Sequence, residues 1–205
     1  MQDAHGDSSG SAGNVPLGLL ESVRDLNRRF LGLLCGEAGA WSPAGRILPI
    51  DLAARMAPLS AAQRSAAASC PYALFDLRFG DRGHWQRRLR SPGAWAISEC
   101  PGVDAPTLDF VRLAVFFAWH VARSGKLAPP LLLGMDESTA AAFRGATIDC
   151  LPTLAVTEAA HLTARWHRCA RYWSALAGAA SRTNSAELRR IQLYGLQLAA
   201  AARLG

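Results

Sequence analysis

The sequence lacks the features that mark metal-binding cysteine clusters, secreted proteins and membrane spans. The five cysteines form no C-x-x-C pair and are scattered: Cys35, Cys70, Cys100, Cys150 and Cys169. Neither a zinc ribbon nor a redox dithiol is therefore predicted, and buried thiols in a reducing cytoplasm are expected. The N-terminus has no basic stretch followed by an apolar core, so we expect no secretory signal. The apolar runs are too short or too interrupted to span a bilayer, which predicts a soluble cytoplasmic protein without membrane contact.

Signatures of catalysis are also missing. The sequence has no G-x-S-x-G nucleophile elbow and no glycine-rich phosphate loop. His161 and His167 are six residues apart, which is not the spacing that places two ligands on one helical face. The acidic pair Asp136-Glu137 is explained by helix capping. We predict no catalytic residues, no cofactor and no metal site; only a deep pocket lined by convergent polar groups would favour an enzyme.

The chain is rich in residues that favour helices and buried cores. Half of its 205 residues are hydrophobic, and six are tryptophan, which predicts a packed globule. Alanine-rich segments without proline favour an all-α fold. The net charge of +6 is carried mainly by arginine and suits contact with nucleic acid or an acidic partner, although many helical proteins have a similar excess.

Composition and periodicity divide the chain into segments. We predict a disordered tail over residues 1–14, a first helical unit over 15–90, a linker over 91–106, a second helical unit over 107–180 and a C-terminal helix over 184–204. Ser60, Asp136 and Asn184 are predicted to cap helices. Residues Leu74 to Phe79 could be extended or helical. A long helix is predicted from Thr153 to Ala179.

The two units contain similar sequence segments in the same order. Leu48-Pro49-Ile50-Asp51 corresponds to Leu133-Gly134-Met135-Asp136, at a separation of 85 positions. The pair Arg78-Phe79 corresponds to Arg165-Trp166, at a separation of 87, and His84-Trp85 corresponds to Tyr172-Trp173. A register that is nearly kept over such a distance indicates duplication. The expected architecture is a pseudo-dimer of two similar helical units within one chain.

Arginines surround the repeated aromatic residues. Leu162, Trp166, Cys169, Trp173 and Leu176 are spaced as an apolar seam on the long predicted helix, and Arg165, Arg168 and Arg171 form a ridge beside it. A similar cluster, Arg82, Arg87, Arg88 and Arg90, follows Trp85. Such ridges can contact phosphates, but a solvated basic flank on a core helix is the alternative. The predicted nucleic-acid contacts are Arg78, Arg82, Arg87, Arg88, Arg165, Arg168 and Arg171.

The first third of the chain resembles a known family. Leu19 to Asn27, with Phe30-Leu31 after it, resembles the opening helix of the FlhD family of flagellar transcriptional regulators, including its acidic-apolar-Asn triplet at Asp25-Leu26-Asn27. Leu48-Pro49-Ile50 and the run to Leu77-Arg78-Phe79 resemble later segments. The resemblance covers about Leu19 to Trp85. This chain is about twice the usual length, and Leu133 to Asp136 fits the family's Leu-Gly-apolar-polar pattern better than the first copy does.

This resemblance implies a regulatory role. Members of the family are small, mostly helical, dimeric bacterial proteins that act with a partner subunit as DNA-binding transcriptional activators and carry no catalysis. The expected partners are therefore DNA and a second regulator protein, and formation of a homo-oligomer is left open. The alternative is a helical adaptor that holds a protein partner through apolar faces and makes no DNA contact.

Overall fold

Helices make up most of the structure, as the composition predicts. The computed structural model describes residues 15–36, 50–90 and 103–201. Its α-helices are α1 (Leu17–Leu34), α2 (Ile50–Met56), α3 (Ala61–Ala68), α4 (Arg82–Arg90), α5 (Ala105–Arg123), α6 (Glu137–Gly145), α7 (Leu151–Glu158), α8 (Ala170–Ser181) and α9 (Ser185–Ala201). A π-helical turn at Pro129–Leu133 and 3₁₀ turns at Ile148–Cys150 and Ala159–His161 lie between them. The all-α class is confirmed. No helix in these ranges has both the length and the apolar character of a bilayer span.

Helix starts follow the predicted capping residues. Ser60 Oγ accepts a hydrogen bond from the backbone N–H of Gln63, and the Gln63 side chain accepts one from the Ser60 N–H, which together form a capping box. Asp136 and Asn184 accept hydrogen bonds from backbone N–H groups in the first turns of α6 and α9. These interactions lie within a few residues of each other, so local sequence was sufficient to predict them.

The prediction of one long helix from Thr153 to Ala179 is wrong. Helix α7 ends at Glu158, and α8 begins only at Ala170. The residues between include strand β2 (Thr163–Ala164), which pairs antiparallel with strand β1 (Phe75–Asp76). Strand pairing with a distant segment has overridden a local pattern that favoured a helix. The proposed seam is consequently divided between a loop and α8, and Arg165, Arg168 and Arg171 do not lie on one helical face.

Several elements recur at a constant separation of 88 residues. Three pairs of elements begin with this offset: Leu17 and Ala105, Phe75 and Thr163, and Arg82 and Ala170. Trp85 and Trp173 share it, and each indole N–H donates to the carbonyl eight residues earlier, at 3.1 and 2.9 Å. Arg78 and Trp166 also share it, and both adopt positive φ, at 57° and 53°. The correspondence thus extends to local backbone geometry. In it, Arg78 is equivalent to Trp166 and not to Arg165.

Elements of the two predicted units pack across the boundary between them. Helix α4 of the first unit contacts α6 of the second, and α8 of the second contacts α2 of the first. Helices α1 and α5 contact each other, and β1 pairs with β2. A single hydrophobic core therefore contains buried residues from both units, among them Phe30, Trp85 and Trp173.

The described ranges include only some of the predicted segments. The predicted tail, residues 1–14, and most of the predicted linker, residues 91–102, lie outside the described ranges. The end of that linker is helical, because α5 begins at Ala105. The predicted C-terminal helix is present as α9, which packs against α8 of its own chain.

Candidate functional site

The seven arginines predicted to bind nucleic acid occupy different environments. Arg78 follows β1, Arg82 and Arg87 lie on α4, Arg168 precedes α8, and Arg171 lies in its first turn. All five of these side chains are exposed. The other two, Arg88 and Arg165, contact other groups of the protein: Glu158 and the carbonyl oxygen of Leu132. The structure therefore keeps five of the seven residues accessible to a partner.

Arg165 is buried, so its prediction as a phosphate contact is wrong. Its side chain is 7% exposed, and Nη1 donates a hydrogen bond to the carbonyl oxygen of Leu132 at 3.1 Å. Its guanidinium lies 4.6 Å from the ring centre of Trp166 and 6.0 Å from that of Tyr72, close enough for cation–π attraction. Burial lowers the pKa of Arg165, and the nearby Asp76 carboxylate opposes this shift. Arg165 is thus a packed structural residue.

The position of Arg165 in the repeat explains its burial. At the 88-residue offset, Arg165 corresponds to the fully buried Leu77, whereas the exposed Arg78 corresponds to Trp166. The pairing of Arg78 with Arg165 that the sequence predicts is therefore one residue out of register. Near a strand, a slip of one residue exchanges the inward and outward faces.

Arg88 belongs to a buried charged cluster that was not predicted from the sequence. Its Nε lies 2.8 Å from Oε1 of Glu158, a carboxylate that is fully buried. His84 Nε2 lies 2.6 Å from the other oxygen, Oε2. A buried carboxylate needs such partners because its desolvation is costly. Arg88 is therefore engaged with Glu158, which reduces its availability for the predicted phosphate contact.

His161 completes this cluster. The rings of His84 and His161 meet edge to face, with 5.5 Å between their centres. One donor atom from each of His84, Glu158 and His161 lies within 4.8 Å of the other two. Burial lowers the pKa of His161, and the Glu158 carboxylate partly offsets this effect. The prediction that no metal site exists considered histidines close in sequence, whereas His84 comes from α4, in the other unit.

A second polar cluster lies at the corresponding interface. At the 88-residue offset, His84 and Glu158 correspond to Tyr172 and Cys70. The Tyr172 hydroxyl lies 3.8 Å from Cys70 Sγ and 3.2 Å from the Tyr72 hydroxyl. Burial raises the pKa of Cys70 to about 11 and also raises the pKa values of both tyrosines, so all three groups are neutral at pH 7. One interface therefore places the ion pair of Glu158 and Arg88 beside two histidines, and the other carries neutral hydrogen bonding.

A shallow groove lies between α1 and α5. It has a volume of about 310 Å³ and is lined by the C-terminal half of α1, including Arg28 and Leu33, and by the N-terminal half of α5, including Phe110 and Leu113. Leu113 is 44% exposed, and Phe116 on the same helix is 37% exposed. The groove thus combines apolar surface with basic side chains.

Comparison with known proteins adds no relative of established function. No family model, curated protein or solved structure matches this chain. The geometry described above and the resemblance in the first third of the sequence are therefore the basis for a functional proposal.

Proposed function

We propose that this chain is a transcriptional regulator of the flagellar-activator type that holds two helical units in one polypeptide. The observation that carries the proposal is the recurrence of elements at 88 residues together with their packing across the unit boundary. The family that the first unit resembles forms dimers from separate chains. Two related units that exchange packing partners are what fusion of such a dimer would produce.

The proposed DNA contacts are exposed arginines on or just before the two corresponding helices, α4 and α8. Arg82 and Arg87 extend from α4, and Arg168 and Arg171 lie at the start of α8, the helix that corresponds to α4. Exposed guanidinium groups can bind phosphate oxygens in bidentate geometry. Binding through such contacts releases counterions and weakens as salt concentration rises. In this account the protein recognises the DNA backbone, and a partner regulator supplies further contacts.

Replacing Arg82, Arg87, Arg168 and Arg171 together with alanine should weaken DNA binding at least about tenfold near 0.1 M salt, because each phosphate contact contributes about 0.9 to the slope of log K against log salt. Gel-shift titrations of the full chain on duplex DNA at several salt concentrations measure the affinity and the slope of log K against log salt. The matched control replaces four other exposed arginines, Arg28, Arg112, Arg189 and Arg190. Equal weakening in both variants would contradict these contacts and would indicate an effect of net charge alone.

The groove between α1 and α5 favours a second candidate, a helical adaptor that binds a protein. Leu113 exposes apolar surface there, Phe116 is exposed further along the same helix, and Arg28 adds a charged rim. Apolar groups flanked by arginine are typical of protein interfaces. A full-length protein that binds no DNA even at low salt would favour this adaptor function over direct DNA recognition.

A further inference from the structure

The cluster formed by His84, Glu158 and His161 joins the two helical units. Glu158 is the last residue of α7, and His161 ends the 3₁₀ turn that follows it, so both belong to the second unit. His84 is supplied by α4 of the first unit. The three side chains therefore converge only when the two units are packed together.

The donor atoms are close enough to surround one ion. They lie within 4.8 Å of one another, and the closest pair, His84 Nε2 and Glu158 Oε2, is 2.6 Å apart. Ligands about 2.0 to 2.2 Å from a tetrahedral ion lie roughly 3.3 to 3.6 Å from each other. Small side-chain rotations would open the closest pair and draw His161 inwards to reach this spacing.

The donor types select the class of metal. Two imidazole nitrogens and one carboxylate oxygen are a common ligand set for zinc, with a fourth position left for water. Imidazole suits zinc and similar divalent transition metals, whereas calcium and magnesium prefer oxygen ligands throughout. His161 is only partly buried, so an ion and its water can enter from that side.

Charges of both signs surround this position, because Arg78 and Arg88 act on His161 alongside the Glu158 carboxylate. Fully buried Glu158 supplies negative charge, and Arg88 holds its other oxygen, Oε1, at 2.8 Å. This ion pair and the hydrogen bond with His84 together position the carboxylate, as partners of metal ligands commonly do. The hydrogen bond between His84 and Glu158 contains one proton. An ion bound at Nε2 displaces that proton, which moves to Nδ1 of a neutral His84 or leaves to solvent from a protonated one.

We propose that His84, Glu158 and His161 bind one divalent transition-metal ion of the zinc type, with water completing its coordination. The ion links the first unit to the second and thereby stabilises their packing. None of its three ligands is an arginine proposed to contact DNA, so zinc binding can be tested without DNA.

Zinc titration of the metal-free full-length protein tests the site. We expect one ion per chain, and Co²⁺ as a substitute should give the intense visible absorption of tetrahedral coordination. His161→Ala should weaken Zn²⁺ binding more than about 100-fold, because even residues that only orient metal ligands contribute 10- to 100-fold. At 100 times the dissociation constant, Zn²⁺ should raise the Tm of the unmodified protein by about 5 to 10 °C.

His120→Ala is the matched control, because His120 is an exposed histidine on α5. This variant should keep the stoichiometry, the Co²⁺ spectrum and the shift in Tm. His161 is less buried than His84, so its replacement should leave a folded protein, which circular dichroism verifies. Absence of stoichiometric binding, or equal binding by His161→Ala and the unmodified protein, would overturn the proposal and leave the cluster as a structural ion pair.

Discussion

Gly195→Ala should destabilise the protein by about 3 to 5 kcal/mol, although the same change in most helices is stabilising by about 1 kcal/mol. Gly195 is a buried residue within α9. A Cβ atom at this position would overlap the hydroxyl and ring of Tyr72. Either α9 must move away from the core or Tyr72 must leave its site, and both changes disrupt close packing.

Tyr72 cannot move aside at low cost. Its side chain is fully buried, and its hydroxyl lies 3.2 Å from both the Tyr172 hydroxyl and the carbonyl oxygen of Gln192. Displacement would leave buried polar groups without hydrogen bonds, at about 1 to 3 kcal/mol for each group. Denaturant unfolding measures the change in free energy. Gly18→Ala on α1 is the control: its new methyl group meets open space, so no loss of stability is expected. Similar stability of the two variants would contradict the packing of α9 on Tyr72.

Asn27→Ala should reduce the free energy of unfolding by about 3 to 5 kcal/mol, because it removes several buried hydrogen bonds at once. Asn27 lies on α1 and is fully buried. Its Nδ2 donates to the carbonyl oxygen of Tyr72 at 2.9 Å and also approaches those of Ala68 and Cys70. Its Oδ1 accepts from the backbone N–H of Leu74 at 2.8 Å. One side chain therefore connects α1 to the whole segment between α3 and β1.

Asn27→Leu separates packing from hydrogen bonding. Leucine has a similar size but cannot satisfy the backbone groups around it, so we expect a loss close to that of alanine. Arg24→Ala, at an exposed position on the same helix, should change stability by less than about 0.5 kcal/mol. Thermal and urea unfolding give these values. Near-normal stability of Asn27→Leu would mean that shape, and not hydrogen bonding, governs this position.

Asn27 belongs to one of the segments that resemble the FlhD family. It is the last residue of the Asp25-Leu26-Asn27 triplet, and its buried amide forms the link just described. At the 88-residue offset the corresponding residue is Val115, which has no polar side-chain atom. The second unit therefore cannot form this link, in agreement with the absence of the triplet from its sequence.

Local signals allowed much of the helical fold to be predicted. The apolar periodicity from Leu19 to Leu34 gave α1 almost to the residue, and Ser60, Asp136 and Asn184 marked helix starts correctly. Each of these signals involves residues within one or two turns of a helix. Strand β2 depends instead on pairing with β1, and no local pattern marked the end of the preceding helix at Glu158.

The candidate sites were harder to predict because they depend on long-range packing. Charge patterns located the exposed arginines of α4 but could not show that Arg165 occupies an inward position equivalent to Leu77. The cluster of His84 with Glu158 forms between helices of different units. The 88-residue spacing of Trp85 and Trp173 was the sequence signal that could have revealed the inward position of Arg165.

We propose that the two halves are related units that fold only on each other. Expressing residues 1–95 and 96–205 as separate chains and measuring their masses in solution, alone and mixed, tests this claim most directly. Because α4 packs on α6 and α2 on α8, the mixture should form a 1:1 complex with the helical content and Trp fluorescence of the intact protein. Either half folding alone as a stable monomer, without association on mixing, would contradict the account.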